Sequence, residues 1–71
     1  MDKLLEPLTP REREVLEALM RHQGSLTQAA DELCIEVSTA KTHLQHLYEK
    51  TQCNNKMALL LRALRLGIVS I

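Results

Sequence analysis

Tryptophan and phenylalanine are missing from this 71-residue chain, and Tyr48 is its one aromatic residue. A core without large rings must be filled by Leu, Ile, Val, Met and Ala, which suits packed helices better than a sheet. Cysteine is scarce as well: Cys34 and Cys53 are too few for a disulfide framework. No apolar run approaches the roughly 18–20 residues of a membrane span, and the N-terminus has no signal-like stretch. These absences point to a cytoplasmic protein with reduced thiols and no membrane contact. The length bounds the rest. A chain this short buries only about 60% of the surface its unfolded form exposes, so its core is thin and a partner subunit would help.

Net charge is lacking too, since nine Lys and Arg balance nine Asp and Glu. The distribution is uneven. Asp2, Glu6, Glu12, Glu14, Glu17, Asp31, Glu32 and Glu36 outnumber Lys3, Arg11, Arg13 and Arg21 in the first half. From Val37 onward Lys41, Lys50, Lys56, Arg62 and Arg65 face Glu49 alone. The halves carry −4 and +4, so a neutral chain can still present a basic face.

What is present is helical punctuation. After a lead-in over residues 1–8, Thr9-Pro10-Arg11-Glu12 reads as a helix start. Thr9 can cap, Pro10 fits the first helical position, and Glu12 can reach back to the cap. Val15, Leu16 and Leu19 give this helix an apolar face, and it is expected to end near His22 with Gly24 as the stop. A short second helix is predicted over about 27–34, capped by Ser25 or Thr27 and apolar at Ala29, Ala30 and Leu33. Ile35-Glu36-Val37-Ser38 reads as a tight turn into a third helix over about 38–52, with Ala40, Leu44 and Leu47 inward. Cys53-Asn54-Asn55 interrupts the pattern, Asn being tolerant of the left-handed conformation that ends helices. A last helix is expected over about 55–66.

That last helix is apolar over more than half its circumference, whereas packing on one core needs a stripe of about 100°. A second buried surface is implied. Met57, Leu61, Leu64 and Ile68 recur at i, i+4, i+7 and i+11 and would meet the same helix of a second copy, giving a homodimer. The alternative is that the tail Ile68-Val69-Ile71 folds over this face.

A short helix, a tight turn and a longer helix with a polar free face describe a helix-turn-helix. The second helix of such a pair lies in the major groove of double-stranded DNA, where base edges differ in donor, acceptor and methyl pattern. With Ala40, Leu44 and Leu47 inward, Lys41, Thr42, Gln45, His46 and Glu49 face outward. Lys41 can reach a guanine or a phosphate, Thr42 offers a hydroxyl and a methyl, and Gln45 can pair bidentately with adenine. Ser38 and Thr39, beside the free amides of the helix start, suit a phosphate.

These residues resemble the LuxR-type (GerE-type) helix-turn-helix family over nearly the whole chain. Leu8-Thr9-Pro10-Arg11-Glu12-Arg13-Glu14-Val15-Leu16 is similar to its opening motif, and Ala30, Leu33, Ile35, Thr39, Lys41 and His43 fall on its helix-turn-helix pattern. Lys50, Cys53, Asn55 and Lys56 follow its next segment, and Arg62-Ala63-Leu64-Arg65-Leu66-Gly67-Ile68 resembles its closing helix. The resemblance implies an all-α, four-helix DNA-binding domain over residues 9–71, a bacterial transcription regulator that dimerises through its last helix. It also implies base contacts from Lys41, Thr42 and Gln45 and phosphate contacts around Thr27, Thr39, His46 and Lys56. A chain that starts at Met1 without a receiver or ligand domain is expected to be a free-standing regulator of this type.

The departures from the family pattern fall at informative places. Glu36 stands where a serine cap is usual, Leu26 replaces an asparagine, and Ala40 replaces a valine. Cys34 and Gln52 replace glycines, and one extra residue precedes the second helix. The stretch Gly24-Ser25-Leu26-Thr27-Gln28-Ala29-Ala30 is similar instead to the LysR-type helix-turn-helix, another DNA-binding family. Cys34, His43, His46 and Cys53 lack the spacing of a zinc finger, so no metal is expected, and Cys53 stands where the family has a buried valine. No nucleophile or acid accompanies His43 in a motif, so neither catalysis nor a cofactor is expected. The rival reading is a helix-turn-helix that docks on RNA polymerase or another regulator, which the acid-rich first half would suit. Salt separates the two, because a DNA binder loses affinity steeply as phosphate contacts release counterions.

Overall fold

A computed structural model of the chain describes residues 7–67. The lead-in residues 1–6, Ile68 and the rest of the tail lie outside the described residues. Four helices and no strand occur among those described: α1 (Pro10–Arg21), α2 (Leu26–Glu32), α3 (Val37–Thr51) and α4 (Lys56–Leu66). This is the all-α, four-helix architecture expected from the sequence.

The helix starts are set by local chemistry. Thr9 Oγ1 accepts the Glu12 amide at 3.1 Å, and Glu12 Oε1 accepts the Thr9 amide at 3.0 Å. With Pro10 in the first turn, the predicted capping box is complete. Ser25 rather than Thr27 caps α2, its hydroxyl accepting the Gln28 amide at 3.3 Å, so the helix begins one residue early at Leu26. Asn55 caps α4 by accepting the Ala58 amide at 2.8 Å. For α3 the capping position is Glu36, which makes no side-chain capping bond.

The stops of α1, α2 and α3 share one geometry. At the end of α1 the Gly24 amide donates to Leu19 O and the Gln23 amide to Met20 O. After α2, Ile35 donates to Ala30 O and Cys34 to Asp31 O; after α3, Cys53 donates to Tyr48 O and Gln52 to Glu49 O. This is the Schellman arrangement, in which two amides past the helix satisfy its last carbonyls. The residue that enters the left-handed region is glycine in many such stops. Here it is Gln23 (φ 55°), Cys34 (φ 57°) and Gln52 (φ 57°). The α3 stop differs from the sequence expectation, because Gln52 takes the left-handed conformation while Asn55 starts the next helix.

A Cβ in that region costs about 1–2 kcal/mol. Replacing Gln52 by glycine should therefore stabilise the fold by about 1 kcal/mol, and a gain of that size raises Tm by about 4–8 °C in a domain of this length. Thermal unfolding followed by circular dichroism would read it, and an unchanged or lower Tm would show that the Gln52 side chain carries a compensating contact.

The core joins Val15, Leu16, Ala18 and Leu19 of α1 to Leu26, Ala29 and Ala30 of α2 and to Ala40, Leu44 and Leu47 of α3. Leu59 and Ala63 fasten α4 to the same cluster. Pairwise, α1 packs on α2 and α3, α2 on α3, and α4 chiefly on α3, so α3 touches every other helix. The alanines on α2 and at the start of α3 place no bulk between the two helices, which lets the pair approach closely.

Candidate nucleic-acid interface

Burial of Ala40, Leu44, Leu47 and Thr51 fixes the rotation of α3. At 100° per residue this turns Ser38, Lys41, Thr42 and Gln45 to one side, and all four are exposed, as are Thr39, His46 and Glu49. The structure thus brings the three predicted base-reading residues together on the first half of α3. One of them differs in detail from the sequence expectation. Thr42 Oγ1 donates to Ser38 O at 3.2 Å, so its proton is engaged along the helix, and what it presents outward is a methyl group and an acceptor. Such a methyl suits the C5-methyl of thymine.

The start of α3 holds predicted phosphate contacts. Val37, Ser38 and Thr39 form its first turn, where amides have no intrahelical acceptor, and the helix dipole adds positive potential. Glu36 works against an anion there, and its Oε2 accepts the Ser38 hydroxyl at 3.4 Å. Thr27 is exposed in the first turn of α2 and Lys56 in the first turn of α4. The Lys56 stem runs close to Gly24, where a Cβ would meet its Cδ at 3.9 Å. Lys56 therefore belongs to the edge formed by the α1–α2 turn and not to the side of α3 that carries Lys41, Thr42 and Gln45.

His46 does not simply project toward solvent. Its Nδ1 lies 3.4 Å from Oε2 of Glu12, and half of its side chain remains exposed. Glu12 itself is 4% exposed. Its other oxygen, Oε1, accepts from Lys50 Nζ at 2.6 Å as well as from the Thr9 amide, and Lys50 also donates to Pro7 O at 3.1 Å. Burial pushes the Glu12 carboxyl up, but the bond and charge of Lys50, with the Thr9 amide and hydroxyl, outweigh it, and the group titrates below its ordinary 4.5. Glu12 thus caps α1 and anchors α3 at once. Sequence reasoning found the first role and missed the second, because Lys50 lies 38 residues away and no local pattern joins them.

A second charged cluster ties α1 to α2. Glu32 accepts from the Arg21 guanidinium and from His22 Nε2 at 2.8 Å. Hydrogen bonds from Arg21 and then His22 hold the Glu32 carboxyl at about 2. His43, on the flank of α3, keeps its Nδ1 enclosed without a hydrogen-bond partner. Among the described residues no three His, Cys, Asp or Glu side chains are placed to hold a metal ion. No helix among them is long and apolar enough to cross a membrane.

Of the residues expected to meet a second copy, two stand clear of the domain's own core. Met57 is 69% and Leu61 56% exposed on α4, large values for apolar side chains. Leu64 is half-buried against the chain's own core, and Ile68 lies outside the described residues. Arg62, on another side of α4, donates from Nη1 to Thr51 O at 3.0 Å and closes the end of α3.

Comparison with known proteins agrees with this geometry. The chain is 43% identical over 58 residues to the probable transcriptional regulatory protein NarL of Mycobacterium tuberculosis, in both the CDC 1551 / Oshkosh and H37Rv strains. That match covers 82% of the chain but 26% of the relative. The crystal structure of the response regulator ChrA, from a heme-sensing two-component system, superposes with a TM-score of 0.83 at 34% identity, over 94% of this chain and 33% of that one. The chain therefore spans about a quarter to a third of the proteins it matches. The sequence pattern described as GerE, bacterial regulatory proteins of the luxR family, matches residues 6–63, and it takes in the capping box, the helix-turn-helix and most of α4. A family of transcription regulators is not a family of enzymes, and the chain belongs to it: this is a LuxR-type helix-turn-helix domain.

Proposed function

We propose that the domain binds double-stranded DNA in a sequence-specific way, as a homodimer, and thereby regulates transcription. The observation that carries this reading is the exposed row Lys41, Thr42 and Gln45 on a helix whose other side buries Ala40, Leu44, Leu47 and Thr51. A rigid helix with a short polar row is what the major groove admits. Thr27, Ser38, Thr39, His46 and Lys56 are assigned to phosphates, which position the helix without reading sequence. Met57, Leu61 and Leu64, with Ile68 beyond the described residues, are assigned to the contact between copies. Two recognition helices would then reach half-sites about 34 Å apart, one turn of duplex.

Selection from random duplex DNA at moderate salt tests the reading, with a palindromic motif of that spacing as the expected product. The dimer has its own test. Leu61→Glu places a charge on an exposed position and should yield monomers in sedimentation without unfolding the domain. Leu64→Glu is less informative, because Leu64 packs on the core. An unchanged sedimentation mass for Leu61→Glu would place the interface elsewhere.

A second reading, docking on RNA polymerase or another regulator, has one observation in its favour. Thr27, Gln28, Ala30, Asp31, Ile35, Glu36 and Val37 line a hollow of about 460 Å³ in which Asp31 and Glu36 are the charged residues. Its acidic, partly apolar lining suits a basic protein side chain, and on this reading Thr27 would face that partner and not a phosphate. A folded protein that enriches no duplex in the selection would favour this reading.

A further inference from the structure

We propose that the hollow between α2 and the start of α3 docks a basic protein segment, an arginine or lysine flanked by an aliphatic residue, and that this segment and duplex exclude each other there. The docking rests on the hollow alone, and the exclusion rests on the DNA-binding reading above.

Two carboxylates stand in the hollow without a cation. Asp31 and Glu36 line it, and both are exposed. Other acids of the domain are matched: Glu12 has Lys50, Glu14 has Arg11 and Glu32 has Arg21. Neither Asp31 nor Glu36 enters an ion pair among the described residues, and what reaches Glu36 Oε2 is the uncharged Ser38 hydroxyl, at 3.4 Å. Glu36 occupies the capping position of α3 but makes no side-chain capping bond, so the helix start does not hold it either.

Aliphatic surface lies beside these charges. Ala30 is buried, Ile35 packs half-buried on the core, and Val37 is 37% exposed. Carboxylates next to aliphatic surface fit a side chain that is itself divided, with an alkyl stem and a cationic head, as those of arginine and lysine are. A phosphate would meet like charge here. A metal ion would find no third His, Cys, Asp or Glu side chain among the described residues. The hollow, at about 460 Å³, falls within the roughly 300–1,000 Å³ of pockets that hold small molecules. That leaves room for an aliphatic neighbour of the cation to rest on Val37, which favours a protein segment.

The position of the hollow sets up the exclusion. Thr27 lines it from α2, and Ser38 follows Val37 on α3. Both are assigned to phosphates, so a segment seated between them occupies the edge along which the duplex backbone would run. Asp31 and Glu36 then act twice, attracting the segment and repelling the duplex.

The test follows backbone amide shifts of the whole isotope-labelled chain by NMR during titration with the blocked tripeptide leucyl-arginyl-leucine at low salt. Saturable shifts at Thr27, Gln28, Asp31 and Val37 are expected, weakening as salt is added. Leucyl-glutamyl-leucine should produce none. Asp31→Asn combined with Glu36→Gln should weaken the arginyl peptide at least about tenfold through the loss of charge-assisted contacts. Both positions are exposed, so the fold should survive, and circular dichroism checks this. Mixed-sequence duplex should displace the peptide, and the double variant should bind duplex more tightly than wild type. Shifts that do not saturate or lie outside the hollow, or an equal affinity in the double variant, would overturn the docking. Spermidine binding as well as the peptide would overturn the protein partner in favour of a free polyamine. Duplex that binds without displacing the peptide would overturn the exclusion and leave the docking standing. A chain that takes the peptide but no duplex would overturn the DNA-binding reading and, with it, the exclusion alone.

Discussion

Lys50→Met should remove a large share of the protein's stability at neutral pH. The substitution keeps the length and apolar stem of the side chain but removes the charge that lies 2.6 Å from a buried carboxylate. Both partners are well enclosed, with side-chain exposures of 15% for Lys50 and 5% for Glu12. Breaking such a pair from one side costs about 3–5 kcal/mol, because the remaining charge is buried without compensation. A domain of this size has about 4–11 kcal/mol of stability in all. Urea unfolding at neutral pH would show the loss as a midpoint shift. Replacing both partners, as Glu12→Met with Lys50→Met, should recover most of it. The capping bond to the Thr9 amide would still be missing, at a cost of about 1 kcal/mol. The pair also sets a pH window. The folded carboxyl titrates below 4.5, so its stabilisation is present above the unfolded value and disappears as the pH falls through the lower folded one. Wild type should keep this contribution at pH 5 and lose it in stronger acid. In Lys50→Met the buried carboxyl loses the contact that holds it down, so acidification should cost less stability than in wild type, or restore some. A single mutant as stable as wild type would mean that Glu12 finds another partner or water.

The second large effect concerns recognition. Lys41→Ala combined with Gln45→Ala should reduce affinity for the selected site at least about a thousandfold, since each good base contact contributes about 1–3 kcal/mol and a dimer loses four. Binding to unrelated duplex should fall much less, because phosphates carry that part. Both side chains are exposed and make no capping bond, so the fold should survive, and circular dichroism can establish this before binding is measured. Retained selectivity with the double substitution would move sequence reading to other residues.

The sequence made the helices legible because their punctuation is local. Thr9, Pro10 and Glu12 sit within four residues of one another, and the capping box follows from their chemistry alone. The inward row of α3 was legible for the same reason, since Ala40, Leu44 and Leu47 repeat with the helical period. The anchor between α1 and α3 was not, because the choice of Lys50 as partner for Glu12 depends on how two helices cross. His46 shows the same limit from the other side: a polar residue on an exposed face reads as a DNA contact, and the carboxylate behind it appears only once α1 is packed in place. The end of α3 was legible to within a residue, but its left-handed residue was not, because Asn54 and Asn55 carry the composition of a terminator. The Schellman geometry puts the left-handed residue at Gln52, with Cys53 donating back to Tyr48 and Asn55 left to cap α4.

The side chain at Cys34 has a consequence for how the recognition helix is presented. Glycine at that position would relax the left-handed turn but would also let the backbone wander among several basins. A residue with a Cβ, once seated at φ 57°, has few alternatives nearby. The joint between α2 and α3 is therefore a stiff elbow whose angle is set by the fold itself. On the proposed DNA-binding reading, the stability given up at that joint would return as preorganisation, since a helix held at a fixed angle loses little freedom on docking.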